Sequence, residues 1–311
     1  MLFSIILAVR NKEKYIIKTI NSCVKQNIGV HNFEIIIIND ASTDKTEKKI
    51  KKKIYKYSNI TLKNLTTNVG PGIARNYGLN ISRGKYIVFV DGDDELAFNA
   101  LKNLKKKIST NPDIVTFNFN KISNNNKKIS ARKDFFKITK KKTKLINNFL
   151  SGEIDGSVIF TCFKKNFLKK NRIKFPKGLH EDIIFIFKSY LLASKIIKFN
   201  KILYIKNEVK NSITRTISKN RINDLMDIHL KLIKILKQYR YYRSSMLNFA
   251  KKGFVGYVAD TVKDLKKETK INKNIKKKIL SMILIKSLKF PDINQYNYLT
   301  KKDFVFKKFI N

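Results

Sequence analysis

Short apolar runs alternate with amphipathic segments along the first 110 residues of the chain. The apolar runs have the length and the Ile and Val content of buried strands: Ser4–Val9, Glu34–Ile38, Ile60–Leu65 and Tyr86–Val90. The segments between them carry apolar residues at helical spacing: Glu13–Gln26, Lys45–Tyr57 and Ile73–Ile81. This alternation predicts an α/β fold with a parallel sheet and helices on both faces, and such sheets bind ligands at the carboxyl ends of their strands.

After residue 110, strand-like runs and helical segments no longer alternate regularly. Further strands are predicted at Asp113–Asn120 and Ser157–Phe163, a strand-rich segment at Ile196–Ile205, and a helix at Glu181–Leu192. The polar, basic segment Lys121–Lys144 is predicted to be an exposed loop or hairpin. Helical spacing returns after Ser218, near residues 225–239, 244–267 and 273–289. We therefore expect a domain over 1–218, with halves 1–110 and 111–218, and a basic helical region over 219–311.

Charge and composition narrow the class of protein. The chain has 311 residues, with 67 Lys and Arg against 23 Asp and Glu, which gives a formal net charge of +44. Such a surface attracts polyanions in general. The many Lys, Asn and Ile residues and the absence of Trp are also typical of an AT-rich coding bias. We therefore discount the charge as a functional signal, because a solvated lysine surface explains it better than a dedicated polyanion site does.

The sequence also predicts the compartment. Cys23 and Cys162 each lie inside an apolar run, which argues against a secreted disulfide scaffold and favours a reducing cytosol. No run approaches the roughly 18–20 apolar residues that span a bilayer. The first residues are interpreted as a buried strand rather than a signal peptide.

The clearest chemical motif follows the fourth predicted strand. Asp91-Gly92-Asp93-Asp94 places carboxylates together, and such a cluster is unfavourable without a cation. Hard oxygen ligands suit Mg²⁺ or Mn²⁺, and Gly92 allows the backbone to turn so that Asp91 and Asp93 reach one point. The alternative is an acidic cap for a helix after Glu95.

Two further polar segments follow predicted strands. Asp40 could accept a hydrogen bond from a nucleobase N–H or a ribose hydroxyl, or could cap a helix, as could Ser42 or Asp44. In residues 68–76, two glycines open a helix, and backbone N–H groups with Arg75 could meet phosphate. The alternative for this segment is an ordinary Gly/Pro turn.

A second acidic pair, Glu181-Asp182, precedes an apolar run. An Asp at a helix start beside a pocket could take a proton from an attacking hydroxyl. Capping of the helix by the same two residues is the alternative. No Ser-His-Asp, Cys-His, P-loop or zinc spacing is present.

Taken in order, these segments resemble the family-2 glycosyltransferases, which have a GT-A fold. The matching stretches span residues 4 to about 215: Ser4–Asn11, Glu34–Asp44, Asn68–Asn76, Gly84–Asp94, His180–Asp182 and Ser212–Thr214. The resemblance implies an inverting hexosyltransferase-like enzyme of bacterial cell-surface polysaccharide synthesis. It implies a nucleotide-diphospho-sugar donor, usually UDP-linked, an Mn²⁺ or Mg²⁺ ion, and a glycan or lipid-linked acceptor.

The resemblance also assigns roles to residues. Asp182 would be the catalytic base, with Glu181 beside it, and Asp93 with Asp91 would hold the metal, supported by Asp94. Donor-binding residues would be Ala8, Arg10, Asp40, Arg75, Asp91 and Gly92. Ala8 and Arg10 replace the Pro and Tyr that the family often carries at the end of the first strand.

Three other hypotheses are kept open. A nucleotidyltransferase of similar fold would usually carry a Gly-rich basic signature after the first strand, which Val9–Glu13 lacks. A nucleic-acid-binding protein would use aromatic residues interleaved with basic ones, such as Phe117, Phe119 and Tyr204. It would not explain the acidic residues at element ends. A basic helical C-terminal region could also rest on anionic lipid at the inner face of the cytoplasmic membrane.

Overall fold

The computed structural model describes residues 1–122, 128–131, 137–178, 180–208, 219–239, 246, 248–250, 253–254 and 257. These residues form two compact units. The first consists of Met1–Lys142 and Gly156–Lys210, and the second of Thr143–Asp155 with the described residues after Asn211. The units thus change at residue 210, whereas the domain boundary at 218 stays a prediction.

The first half of the sheet is parallel, as the alternation predicts. Its strands are β1 (Phe3–Val9), β2 (Phe33–Asn39), β3 (Ile60–Asn64) and β4 (Tyr86–Asp91). They lie in the order β3-β2-β1-β4, and each neighbouring pair is parallel. Every residue of β2 is buried, which agrees with the continuous apolar run in its sequence. The four predicted strands are confirmed to within two residues at each end.

Three helices connect these strands: α1 (Ile16–Val24), α2 (Thr46–Ile54) and α3 (Pro71–Ile81). Right-handed crossovers in this strand order place α1 and α2 on one face of the sheet and α3 on the other. Gly78 allows α3 to lie directly on β1, since a Cβ atom there would come within 2.4 Å of Ile6 Cγ2. We call the face covered by α3 the α3 face.

The second half of the sheet is mixed. Its strands are β5 (Glu95–Leu96), β6 (Ile114–Ile122), β7 (Lys128–Ala131), β8 (Thr161–Lys164) and β9 (Ile196–Asn207). They continue in the order β4-β8-β6-β9-β5, with β7 paired to β6. β8 is antiparallel to both β4 and β6, and β6 is parallel to β9. The α/β class is confirmed, while parallel pairing dominates only in the first half.

One sequence expectation in this half needs correction. Ser157–Phe163 is predicted as one strand, but Val158–Phe160 forms a 3₁₀ turn and β8 begins only at Thr161. In Lys121–Lys144, predicted as a loop or hairpin, β7 forms a hairpin with β6, and the segment ends earlier than predicted because a helix begins at Lys142. Apolar composition does not distinguish a buried strand from a buried 3₁₀ turn.

The remaining helices are α4 (Ala100–Ile108), α5 (Lys142–Leu150), α6 (Lys165–Lys170), α7 (Glu181–Leu192) and α8 (Lys219–Gln238). The bounds of α7 are those predicted from the sequence. The helices predicted near 244–267 and 273–289 lie almost entirely outside the described residues. Among the described helices, none is long and apolar enough to cross a membrane.

An aromatic core fixes α7 against the α3 face. Phe89 of β4 makes edge-to-face contacts with Phe175 and Phe185, whose rings stack on each other at 4.0 Å between centroids. Phe163 of β8 joins the same group through an edge-to-face contact with Phe185. Because Phe185 lies one turn after Glu181 in α7, this packing helps to set the position of Glu181 and Asp182. Cys23 and Cys162 are both buried free thiols in this unit.

Candidate active site

Parallel register brings the polar strand ends of the first half to one edge. Ala8 of β1 lies beside Ile38 of β2 on one side and beside Asp91 of β4 on the other. Side chains in register share a face, so Ala8 and Asp91 both project from the α3 face. Asp40 follows β2 at the same edge, where its N–H donates to Val9 O at 2.9 Å. The three residues thus line one edge, as the sequence predicts.

A single buried arginine joins two acidic motifs on the α3 face. Arg75 of α3 donates from Nη2 to Asp91 Oδ1 at 2.8 Å. From Nη1 it donates to Glu181 Oε1 at 2.9 Å and to Asp182 Oδ1 at 2.8 Å. We call these four residues the Arg75 cluster. Asp91 and Asp182 are far apart in the sequence, and the cluster places them on the same guanidinium.

In the Arg75 cluster, one guanidinium group faces three carboxyl groups. Burial alone would lower the pKa of Arg75, but the facing carboxylates raise it above its usual value, so the guanidinium stays charged. Burial and the neighbouring carboxylates of Glu181 and Asp91 raise the pKa of Asp182 to about 7, even though Arg75 acts in the opposite direction. Burial likewise raises the pKa of Glu181. A carboxyl group in this range can exchange a proton near neutral pH.

Close packing of α3 against α7 builds the cluster. A Cβ atom at Gly72 would lie 2.3 Å from Glu181 Cγ and 3.1 Å from Phe175 Cβ, so only glycine allows this approach. Asn76 locks the neighbouring backbone, because its amide donates to Phe175 O at 2.9 Å and its Oδ1 accepts from Phe175 N at 3.0 Å. Gly72 therefore serves helix packing, and neither helix capping nor phosphate contact explains it.

The acidic loop after β4 is held by strand β9. Asp94 is buried, and its oxygens accept from the Tyr204 hydroxyl at 2.8 Å and from Asn207 N at 2.9 Å. The Tyr204 hydroxyl in turn accepts from Asp91 N at 3.1 Å, and Asn207 Nδ2 donates to Asp93 O at 2.8 Å. Because α4 begins only at Ala100, helix capping does not explain Asp94. Its role is to fix the loop backbone.

Asp93 carries the carboxylate that this loop presents. Its Oδ2 forms an ion pair with Lys12 Nζ, and its side chain is 17% exposed. Asp91 uses only Oδ1 for Arg75, and its side chain is 34% exposed. Within the described residues, no group of three or more His, Cys, Asp or Glu side chains could hold a metal ion by itself. One or two carboxylates suffice for Mg²⁺ or Mn²⁺ when substrate phosphates and water supply the other oxygens, so these residues fit such an ion.

Asp40 ties down the turn that precedes α3. Its Oδ1 accepts from Val69 N at 2.7 Å and its Oδ2 from Gly70 N at 3.0 Å, and the residue is 3% exposed. Gly70 has a φ of +87°, a backbone conformation that residues other than glycine rarely adopt. The backbone N–H groups of this turn are therefore satisfied by Asp40, although the sequence offered them as phosphate ligands. Each carboxylate oxygen keeps a further lone pair for a ligand.

Arg10 lies beyond β1 at the same edge. Among the described residues, its Nη1 atom is buried and has no hydrogen-bond partner. A buried guanidinium donor without a partner is unfavourable, and such groups are rare in native proteins. Arg10 thus contrasts with Arg75, whose two terminal nitrogens both bond to carboxylates.

The structure also bears on the residues that sequence reasoning misread or missed. Phe117 and Tyr204 are fully buried, so they cannot stack on nucleic-acid bases, and Phe119 stacks instead on Phe160 at 3.9 Å. Lys12, Tyr204 and Asn207 were not identified as site residues, because their partners are 81 to 114 positions away and leave no local pattern. Ser212 and Thr214, and most of the basic C-terminal region, lie outside the described residues. The membrane hypothesis stays a prediction.

Comparison with known proteins gives one family and one fold. The family model described as Glycosyl transferase family 2 matches residues 4–171. A poly(ribitol-phosphate) beta-glucosyltransferase of Bacillus spizizenii is 32% identical over 204 residues, which cover 63% of this chain and 30% of that protein. The chain spans about a third of the length of the curated relatives it matches first.

Two solved structures show the same fold. Staphylococcus aureus TarS 1–349 in complex with UDP-GlcNAc superposes with a TM-score of 0.65 at 21% identity, covering 98% of this chain and 91% of that one. The mannosyltransferase PcManGT from Pyrobaculum calidifontis, in complex with GDP-Man and Mn²⁺, gives a TM-score of 0.56 at 15% identity. It covers 98% of this chain and 84% of the other.

Proposed function

Because this chain belongs to glycosyl transferase family 2, we propose that it transfers a sugar from a nucleotide-diphospho-sugar to a hydroxyl of a glycan or lipid-linked acceptor, with inversion. The observation that carries this proposal is the Arg75 cluster. It brings a residue of the predicted donor motif, Asp91, and the predicted base, Asp182, onto one side chain. A transferase needs its donor site and its base side by side, since both act on the same anomeric carbon.

The proposed donor is UDP-linked. A neighbour of the same fold was solved with UDP-GlcNAc, and a relative is named for glucosyl transfer to poly(ribitol-phosphate). In this chain, Asp40 and Arg10 are proposed to contact the nucleobase, because they flank Ala8 at the edge where β1 and β2 end. Asp91, whose side chain is 34% exposed, is proposed to bind the ribose through the oxygen that does not contact Arg75.

Asp93 and Asp91 are proposed to hold a divalent cation together with the donor diphosphate. When bound, a divalent ion there supplies positive charge that stabilises the departing nucleoside diphosphate. The loop backbone is kept in place by Tyr204 and Asn207, so the Asp93 carboxylate does not need to move far. The Lys12 ammonium group pairs with Asp93 Oδ2, so an ion that binds this oxygen has to displace Lys12.

Asp182 is proposed to be the general base. Its Oδ1 is held by Arg75 at 2.8 Å, while its Oδ2 has only a long contact of 3.4 Å with Val158 N. Oδ2 is therefore the atom that can receive a proton. As the acceptor hydroxyl gives its proton to Oδ2, its oxygen bonds the anomeric carbon and the bond to the diphosphate oxygen breaks. Attack from the side opposite the leaving group inverts that carbon.

The test is calorimetric titration of the purified chain with UDP, with and without Mn²⁺, on the wild type and on Asp93→Asn. We expect binding that requires Mn²⁺ and that Asp93→Asn weakens by at least tenfold. A screen of nucleotide-sugars for hydrolysis then identifies the donor, since water can replace an acceptor slowly.

Glu47→Gln is the matched control, because the Glu47 carboxylate pairs with Lys51 and accepts from Asn64, neither of which is a proposed site residue. This substitution should leave UDP binding unchanged. Absence of binding by UDP and by GDP-, dTDP- and CDP-linked donors would contradict the proposed function.

A further inference from the structure

Two asparagines of β6 have no role in the proposed function. We call Asn118 and Asn120 the strip, and both are half-buried. Within the described residues, the Oδ1 atom of each is buried and has no hydrogen-bond partner. Buried amide oxygens without a donor cost free energy, so two on one strand call for a ligand.

Strand register gives the position of the strip. Cys162 of β8 is paired with Val88 of β4 on one side and with Val115 of β6 on the other, and both pairings are antiparallel. β4 and β6 therefore run in the same direction, with Val88 and Val115 at one level. Three residues further along these strands are Asp91 and Asn118, and both strands contact the 3₁₀ turn Val158–Phe160 that precedes β8.

Register also gives the face. Val88 and Val115 share a face with Cys162, so residues an odd number of positions away project from the opposite face. Asp91 and Asn118 are both three positions away, which places Asn118 on the α3 face with the Arg75 cluster. Asn120 lies two residues beyond Asn118 on that same face.

A bulge in β9 orients the first asparagine. The pairing of β6 with β9 moves from Phe199 beside Phe117 to Ile202 beside Asn118, so Asn200 lies in the bulge. Asn118 Nδ2 donates to Asn200 Oδ1 at 2.6 Å, so the two amides hold each other in place. Bulges next to active sites commonly aim a side chain in this way. Asn120 has no side-chain hydrogen bond within the described part of β6 and its neighbours.

Thr161 provides a useful contrast. Within the described residues its hydroxyl oxygen is also without a partner, but the whole residue is buried. All three oxygens are buried atoms, whereas Asn118 and Asn120 are half-buried residues at the margin of the core. These two are therefore the better candidates for binding.

We propose that Asn118 and Asn120 bind hydroxyl groups of the acceptor and so position the attacking hydroxyl near Asp182. This inference rests on the proposed function. The unpartnered amide oxygens can accept hydrogen bonds from hydroxyls, so the strip fits a sugar or polyol.

The experiment measures UDP release with the donor identified by the hydrolysis screen. Glycerol, ribitol, glucose and N-acetylglucosamine are supplied in turn as acceptor. We expect at least one to stimulate UDP release by the wild type. Asn118→Leu and Asn120→Leu, which keep the branched shape of the side chain and remove its polar atoms, should each raise the KM for that acceptor about fivefold or more, while the Kd for UDP shifts less.

Two further variants separate binding from folding. Asn200→Ala removes only the partner of Asn118 and should raise the acceptor KM by a smaller factor. Asn103→Leu, an asparagine of α4 outside the strip, should leave the acceptor KM unchanged. Asn120→Leu keeps the test valid if Asn118→Leu fails to fold, because Asn120 makes no side-chain bond to lose.

Several results would overturn the inference while leaving the proposed function intact. These are an unchanged KM in both leucine variants, an equal loss of UDP affinity, or a wild type that hydrolyses its donor but responds to none of the four acceptors. A wild type that neither binds UDP nor hydrolyses any donor would instead fail the proposed function, and this inference with it.

Discussion

The two acidic motifs of the site are stabilised in opposite ways. The loop after β4 is fixed by neutral donors, the Tyr204 hydroxyl and the Asn207 amide, which bind Asp94 and the loop backbone. The pair at the start of α7 is fixed by a buried cation, Arg75. Neutral support leaves the Asp93 carboxylate with a partly exposed lysine that a ligand can displace. The buried arginine donates a hydrogen bond to one oxygen of Asp182, and the other oxygen is the proposed proton acceptor.

The largest expected effect is on the proposed base. Asp182→Asn keeps the shape of the side chain but cannot accept the proton, so turnover should fall about 10²–10⁴-fold. The Kd for UDP should stay close to that of the wild type. Steady-state UDP release and calorimetry measure the two quantities.

Glu181→Gln sharpens the same comparison. Glu181 is held under Gly72 and is 6% exposed on its side chain, so it positions Arg75 and does not reach substrate. Its loss should lower turnover less than Asp182→Asn does. An equal or larger loss in Glu181→Gln would reassign the base.

The next effect is on stability. Arg75→Met leaves Asp91, Glu181 and Asp182 without their cation, and loss of one partner from a buried ion pair typically costs about 3–5 kcal/mol. The free energy of unfolding, from urea titration, should fall by that order. Arg172→Met is the control, because Arg172 is exposed and should change stability little. A tolerated Arg75→Met would show that the carboxyl groups are protonated in the folded protein.

A smaller loss is expected at the neutral support of the other motif. Tyr204→Phe removes the donor to Asp94 and the acceptor of Asp91 N, both in a buried place. Leaving buried polar groups unsatisfied costs about 1–3 kcal/mol, which the shift of the urea midpoint measures. Tyr55→Phe removes the hydroxyl of a residue that is 83% exposed and should leave the urea midpoint unchanged. Equal stability of the two variants would mean that the loop does not depend on β9.

Local pattern explains how much of this could be predicted. Apolar runs identified β1 to β4, and helical spacing gave α7 with its bounds, because each signal is contained in a few consecutive residues. The acidic residues of the site were likewise identified by motif. The partners were not. Tyr204 and Asp94 are 110 positions apart, and nothing in either segment indicates the other. Arg75 was expected near phosphate, and only the packing of α3 on α7 shows that it faces three carboxyl groups.

The same reasoning applies to the basic composition. A net charge of +44 indicates polyanion binding in general, yet the lysines that matter to the site are identified only by contact. Lys12 pairs with Asp93, whereas Lys18 pairs with Glu95 at 2.7 Å with its own side chain 59% exposed. Two lysines of one segment thus have different neighbours, and only one of them touches the carboxylate proposed to hold a metal.

The smallest expected effect tests that difference. Lys12→Met removes the cation that competes for Asp93, and a partly exposed ion pair is worth about 0.2–1 kcal/mol. The affinity of the ligand-free protein for Mn²⁺ should therefore rise by about twofold to fivefold, as measured by electron paramagnetic resonance of free Mn²⁺. Lys18→Met removes the same charge from the more exposed pair and should produce a smaller rise. If both variants gained equally, the change would reflect net charge alone, and if Lys12→Met lost affinity, Asp93 would not be the carboxylate that receives the metal.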